Sequence, residues 1–197
     1  MSKKFLISRQ RHLLLTFLIS LIVSVLLAIT IGSFKISVID ILLGKLDELG
    51  STILYTIRMP RVMLAAFVGA SLAISGACLQ GLFRNPLADP GLIGVSAGAA
   101  LGAAFAIVFS SRFISLNFFG PYLIPFSAII GSASVIIILF FITKGFGYDG
   151  VTYMLLAGIA VNAIAGVGIG VLTYISDDSE LRSLTFWTMG SFGGVTW

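Results

Sequence analysis

RMPRVMLAAFVGASLAISGACLQGLFRNPLADPGLIGVSAGAALG, residues 58–102, holds two apolar runs around one irregular polar loop, Arg84-Asn85-Pro86-Leu87-Ala88-Asp89-Pro90-Gly91. Each run is about membrane length, because roughly 20 residues at 1.5 Å rise cross a ~30 Å hydrocarbon core. Pro60 stands at the start of the first helix, where its missing N–H costs nothing. Small residues recur at every fourth position, first as Ala65, Gly69, Ala73, Ala77 and Gly81, then as Gly94, Gly98, Gly102 and Ala106. In lipid, burying Leu against Leu gains little, and such ridges let helix backbones approach closely. The pattern predicts two tightly packed membrane helices joined by a stiff polar corner.

The rest of the chain has the same character. Of its 197 residues 58% are hydrophobic and 10% charged, and the mean hydropathy is +1.10. Soluble chains carry about 25% charge. The apolar residues come in long uncharged runs, so the class is an all-α, polytopic membrane protein. A net charge of +4, taken alone, points to an anionic partner. Lys3, Lys4, Arg9 and Arg11 crowd the first eleven positions, however, where they act as a topology signal, and no nucleic-acid partner is expected. Cys78 is alone, which rules out an intrachain disulfide. It reads as a small packing residue.

Five spans are expected, at about 13–32, 62–83, 91–110, 122–143 and 151–175, in a single domain over 1–197. The first apolar run exceeds the 7–15 residues of a signal-peptide core and lacks an Ala-x-Ala site, so an uncleaved first helix is expected. Between the first two spans, Ser37-x-x-Asp40 resembles a capping box. Ile36, Ile39, Leu42, Leu43, Leu46 and Leu49 share one helical stripe, and Gly50 offers a stop. This predicts an amphipathic helix, either lying on the outer membrane face or packed on its own protein. The fourth span has Pro125 near its start, and a Gly-rich turn over 144–150 follows it. The fifth carries Gly158, Asn162, Gly166 and Gly170 on one face. After it, Asp177 and Glu180 have capping-box spacing for a short helix that ends at Gly190 and turns Leu181, Leu184 and Trp187 to the membrane surface.

Half of the twelve Lys and Arg fall on each side of such a fold. The concentrated N-terminal cluster breaks the tie and places the N-terminus in the cytoplasm. Residues 176–197 then lie outside.

No Asp, Glu, Lys, Arg or His falls inside the five spans. Ion-driven transporters commonly need such groups, so no means of coupling to an ion gradient is visible. Nor is there a Gly-x-x-x-x-Gly-Lys-Ser/Thr motif, and the chain is not expected to be an ATPase or any other enzyme. His12 is the only histidine, which leaves no metal-ligand cluster and no expected cofactor. A metal cargo would arrive inside its chelate. Asn162 is the one amide deep in a span. It either hydrogen-bonds across a helix interface or lines a pathway, and Gln80, nearer a helix end, has the same two readings.

The Arg-x-Pro-Arg opening (58–61) and Leu-Gln-Gly-Leu-Phe (79–83) resemble the permease subunits of ABC importers for ferric siderophores, haem and cobalamin. So do Asn-Pro-Leu-Ala-Asp-Pro-Gly-Leu-Ile-Gly-Val-Ser (85–96), Leu-Leu-Ala-Gly (155–158) and Phe-Trp-Thr-Met-Gly-Ser-Phe-Gly-Gly-Val-Thr-Trp (186–197). Members usually have ten membrane helices, and this chain holds about five, one half of such a permease. The resemblance implies a second permease copy, two cytoplasmic ATPase subunits and an extracytoplasmic substrate-binding protein as partners, besides membrane lipid. It implies a multi-pass protein of the inner (cytoplasmic) membrane.

The same resemblance implies a cytoplasmic gate at Asn85 and Leu87 and at the start of the fifth span, Gly150, Val151 and Thr152. Gly-Tyr-Asp-Gly-Val-Thr here departs from the Ser/Thr-rich sequence sometimes found at that second place. As a plain structure, the 85–91 loop is a rigid corner and Asp89 caps the next helix. Arg58 and Arg61 are implied as the docking pair for the binding protein; by position alone they snorkel to lipid phosphates. For cargo, Tyr-Ile-Ser-Asp-Asp-x-x-Leu-Arg (174–182) looks similar to haem permeases, which puts haem ahead of ferric siderophores and cobalamin third. The alternatives are a self-sufficient small channel or facilitator, and a truncated product that does not transport.

Overall fold

From Leu13 to Thr30, Leu, Ile, Val and Phe lie on every side of the first helix, α1 (Lys3–Thr30), and most of these residues are exposed. A helix apolar all round belongs in a lipid or protein interior. The computed structural model describes residues 3–113, 120–145 and 150–197, which are helical with no strand among them. They form two compact units, residues 1–70 with 192–197 and residues 71–191.

In the first unit, Ser37 caps α2 (Val38–Leu42), its Oγ accepting from the Ile39 N–H at 3.2 Å. Gly44, at φ +62°, then turns the chain. Asp47 starts a new helix, α3 (Glu48–Thr52), by accepting from the Gly50 N–H at 2.9 Å. The amphipathic helix expected over 36–49 is therefore two pieces. A left-handed Gly ends one and an Asp cap begins the next. Ile39, Leu42, Leu43 and Leu49 stay exposed, and Gly50, expected as a stop, lies inside α3. From α3 the chain passes through a π-helical turn, Ile53–Arg58, into α4 (Met59–Phe83). The second span thus begins at Glu48 and runs for 36 residues.

The second unit is built around close backbone contact. A 3-10 turn at Pro90–Ile93 ends on Gly94 in the left-handed region, φ +83°, and α5 (Val95–Phe113) follows. The expected helix at 91–110 is therefore broken at its start, and Gly94 is a cap as well as a place of close approach, a Cβ there lying 3.2 Å from the Gly158 carbonyl oxygen. α5 lies against α6 (Leu123–Thr143) through Gly98, Gly102 and Gly131. A Cβ on Gly98 would sit 2.7 Å from the Gly131 carbonyl oxygen, and one on Gly102 would collide with that of Ser127. The tight pair is thus the third span with the fourth. The expected close ridge on α4 is bare among the described residues, since a Cβ on Gly69 or Gly81 would meet nothing within 4 Å.

α7 (Gly150–Ile175) matches its expected limits to one residue, and α8 (Asp178–Met189) opens with the expected capping box. Asp177 Oδ1 accepts from Glu180 N at 2.8 Å, and Glu180 Oε2 accepts from Asp177 N at 3.1 Å. Leu184, expected at the membrane surface, is buried with Ala104, Ile107, Val108 and Leu172, and Trp187 packs against them. Leu181 does stay exposed.

Among the described residues four helices are long and apolar enough to cross a membrane: Gln10–Thr30, Glu48–Phe83, Leu123–Thr143 and Gly150–Ile175. The fifth apolar helix, Val95–Ser110, is shorter, because the 3-10 turn and Gly94 remove its first residues. Of the expected Gly-rich turn, 146–149 lie outside the described residues.

Candidate functional site

A guanidinium carries five N–H donors in a rigid fork, and the two arginines of Arg-x-Pro-Arg use theirs differently. Arg58 is half-buried and reaches back across the chain. Its Nη1 donates to the Ile29 carbonyl at the end of α1 and its Nη2 to the Phe34 carbonyl beyond it. Gly32 lies under this fork, and a Cβ there would come within 2.5 Å of Nη2. Arg61 is exposed, and its Nε donates to the Phe192 carbonyl at 3.1 Å. Pro60, between them, is buried. Trp197 Nε1 donates to the Tyr55 carbonyl at 2.7 Å, so residues 192–197 lie along the same helix. A cavity of about 540 Å³ opens beside both arginines, walled by Ala28, Phe34, Ile57 and Ala65. A guanidinium at such a place can pair with a carboxylate or another anion.

The polar corner is stiff for local reasons. Arg84 takes a positive φ of 49°, and Asn85 Oδ1 accepts from the Leu87 N–H at 2.9 Å, an Asx turn around Pro86. Asp89 Oδ1 accepts from Gly91 N at 2.7 Å, so Asp89 caps the 3-10 turn and not α5 itself. Leu87 at the tip is 85% exposed. This is an apolar side chain presented on a rigid support. A hollow of about 530 Å³ beside it is lined by Leu72, Gly76, Gln80, Asp89 and Ser96.

The corner is tied to α7 at two levels. Asn162 Nδ2 donates to the Gly91 carbonyl at 3.0 Å, the cross-helix role weighed for it from the sequence. Gly158 lets α7 come against the 3-10 turn; a Cβ there would lie 2.5 Å from the Leu92 oxygen. Ile93, Val135 and Leu139 form a buried cluster with Leu79 and Phe83 before the corner and Met154 on α7. Gly150, Val151 and Thr152 open α7, one turn before Met154, with Val151 half-buried and Thr152 exposed. Residues on either side of the corner and on α7 thus share one apolar cluster, of which Asn85, Leu87, Gly150, Val151 and Thr152 are not part. Gly166 and Gly170, placed with Asn162 on one face, meet nothing within 4 Å.

Sequence reasoning missed Gly32 and the pairing of Gly158 with the 3-10 turn. The second had a signal, a Gly four residues before the one amide deep in a span. Gly32 had none, because its partner lies 26 positions away along the chain.

The chain is similar to known proteins along most of its length. Residues 20–197 match the model of the FecCD transport family. The chain is 42% identical over 189 residues to the hemin transport system permease protein HmuU of Yersinia pestis, covering 95% of this chain and 56% of that protein. It is 33% identical over 186 residues to the molybdate import system permease protein MolB of Haemophilus influenzae, covering 90% and 53%. A solved structure described as an inward-facing conformation of a metal-chelate type ABC transporter superposes with a TM-score of 0.76 at 31% identity, covering 95% of this chain and 56% of that one. The chain therefore spans about half the length of the relatives it matches. On the family match and these identities together, it belongs to the FecCD transport family, whose members are membrane permease components of ABC transporters.

Proposed function

We propose that the chain is one half of the membrane subunit of an ABC importer that carries an iron chelate across the cytoplasmic membrane. The observation that carries this reading is the family match along 20–197, on apolar runs at 13–32, 62–83, 91–110, 122–143 and 151–175 that hold no Asp, Glu, Lys, Arg or His. Without such groups the chain has no handle on an ion gradient, and the energy comes from ATP hydrolysed on a partner subunit. A second permease copy, two ATPases and an extracytoplasmic binding protein complete the machine. The N-terminus faces the cytoplasm. Haem is the first candidate cargo, supported by 42% identity to a hemin permease against 33% to a molybdate permease. Ferric siderophores come next and cobalamin third.

In this reading the corner is the inner gate. Leu87 supplies an apolar tip, Asn85 holds it, and the start of α7 at Gly150, Val151 and Thr152 moves with it through the shared cluster. Asn162 joins the pathway by tying α7 to the Gly91 carbonyl. Arg58 and Arg61 belong to the face that meets the binding protein.

The test is uptake by the full-length protein with its own ATPase and binding protein, in cells lacking haem import. Growth on haem as sole iron source is expected, and it should vanish with a hydrolysis-dead ATPase. Growth that survives the dead ATPase would overturn the importer in favour of a facilitator, and growth on a ferric siderophore alone would reorder the cargo. Asn85→Ala and Leu87→Ala should raise cargo leak or basal ATPase activity in reconstituted vesicles at normal expression. Unchanged leak and coupling would reduce the corner to a turn.

A further inference from the structure

We infer that Asn162 is a positioning residue for the inner gate: from the middle of α7 it fixes the turn 90–94, and through that turn the place where Leu87 stands. The inference rests on the gate reading above and names the side chain that sets the gate's resting position. Asn162 is half-buried and is the thirteenth of the 26 residues of α7, about 18 Å along the helix from Gly150. The turn it holds therefore lies beside the middle of a candidate span. Irregular backbone at such a depth finds no partner in lipid, and it persists only where protein or a water-lined hollow satisfies it. The Gly91 carbonyl has two lone pairs, and both are used. Gly94 N donates to it at 3.2 Å and Asn162 Nδ2 at 3.0 Å.

The seat around that bond is shaped from both sides. A Cβ on Gly158 would lie 2.5 Å from the Leu92 oxygen, and one on Gly94 would lie 3.1 Å from Val161 Cγ1. Each backbone can approach the other because neither carries a side chain there. Inside the corner the bonds are local. Asn85 Oδ1 accepts from Leu87 N, the Asn85 carbonyl from Ala88 N at 3.1 Å, and the Asp89 carbonyl from Leu92 N at 3.1 Å. These bonds give the corner its shape. The bond from Asn162 comes from another helix, and it fixes where that shape stands. An amide suits the task because it donates without carrying charge, so no ion has to be held in mid-span.

Two readouts test this in the full-length permease with its ATPase. The first is the mobility of a spin label at Leu87→Cys, in a Cys78→Ser background free of other cysteines. Asn162→Leu should make that label more mobile. The second, in unlabelled protein reconstituted in vesicles with the haem-loaded binding protein, is the ATP hydrolysed per haem carried. Asn162→Leu should raise this ratio about three- to tenfold, the span set by one polar contact in a membrane bundle. A mere loss of folded protein would lower hydrolysis and uptake together and leave the ratio alone. Asn162→Asp keeps the shape but donates only while its carboxyl is protonated. It should match Asn162→Leu at high pH and return toward wild type as the pH falls, in both readouts. Asp89, which caps the turn, titrates in every variant, so each is compared with wild type at the same pH.

The inference is overturned if the label at Leu87 is no more mobile in Asn162→Leu than in wild type, or if Asn162→Asp shows no return at low pH. A mobile label with an unchanged ratio would overturn it too, since the corner would then be loose without consequence for the gate. Should Asn162→Leu not fold, Asn162→Asp at high and low pH carries both readouts. Wild-type vesicles that carry no haem with ATP would sink the importer reading instead. Label mobility would then still decide whether Asn162 holds the corner.

Discussion

Gly98 and Gly102 on α5 share their four-residue spacing with the ridge on α4 that includes Gly69 and Gly81, yet one ridge is packed and the other bare. The difference lies in the neighbour. α6 offers α5 a matching ridge, Ser127 and Gly131, again four apart, so that backbone meets backbone and the Gly131 carbonyl and Cα face the two glycines. Among the described residues no comparable surface lies within 4 Å of Gly69 or Gly81. A small-residue ridge states how closely a helix can be approached. It does not name the helix that comes.

The sharpest test of this contrast is Gly102→Val. The new side chain would run into the Ser127 carbonyl, which cannot move without α6. We expect a loss at or above the ~3 kcal/mol end of overpacking, seen as a collapse in the yield of folded protein and in the midpoint of thermal unfolding in detergent. A variant that melts like the wild type would mean that α5 and α6 are not in backbone contact. Gly158→Val comes next, at about 2–3 kcal/mol, because the 3-10 turn it would strike is short and can yield somewhat. A midpoint that does not fall would detach α7 from the corner.

Asn162→Leu should cost less, about 0.6–1.7 kcal/mol, the range for one polar contact within a membrane bundle. It should also speed hydrogen exchange near Gly91, where the accepting carbonyl loses its donor. Exchange that stays unchanged while stability falls would assign the loss to packing alone. The smallest effect belongs to Gly69→Leu, expected within about 0.5 kcal/mol either way, as for an open surface site. A fall as large as that of Gly102→Val would show that something covers the α4 ridge, and the contrast between the two ridges would disappear.

Local signals in the sequence carried most of the fold. α7 and the Asp177–Glu180 box follow from hydrophobic length and from a cap whose donors lie within three residues. The stripe over 36–49 misled because its period is helical while Gly44 and Asp47 punctuate it, and punctuation prevailed. Gly94 fits a packing ridge by spacing, and only its left-handed backbone reveals a cap. Leu184 and Trp187 satisfy an amphipathic helix equally well against lipid or against α5 and α7. The choice depends on tertiary neighbours that no window of sequence contains. At the candidate site, the Asx turn of Asn85 was written in the adjacent residues. The clamp of Arg58 was not, since its partners lie 24 and 29 positions away.

The π-helical turn at Ile53–Arg58 makes this stretch tolerant of a deletion in an unusual way. Its bonding skips one residue more than an α-helix does, as in the Met59 N–H donating to the Leu54 carbonyl. The turn therefore holds one residue more than an α-helix needs to cover the same arc. Deleting a single residue within 53–58 would leave an unbroken α-helix, with Asp47 and its cap still facing as they now do relative to Arg61. The same deletion inside α4 would turn one flank by about 100° against the other. Length variation at this one turn is thus absorbed by a change of bonding pattern, while the 48–52 segment and the span beyond it keep their aim.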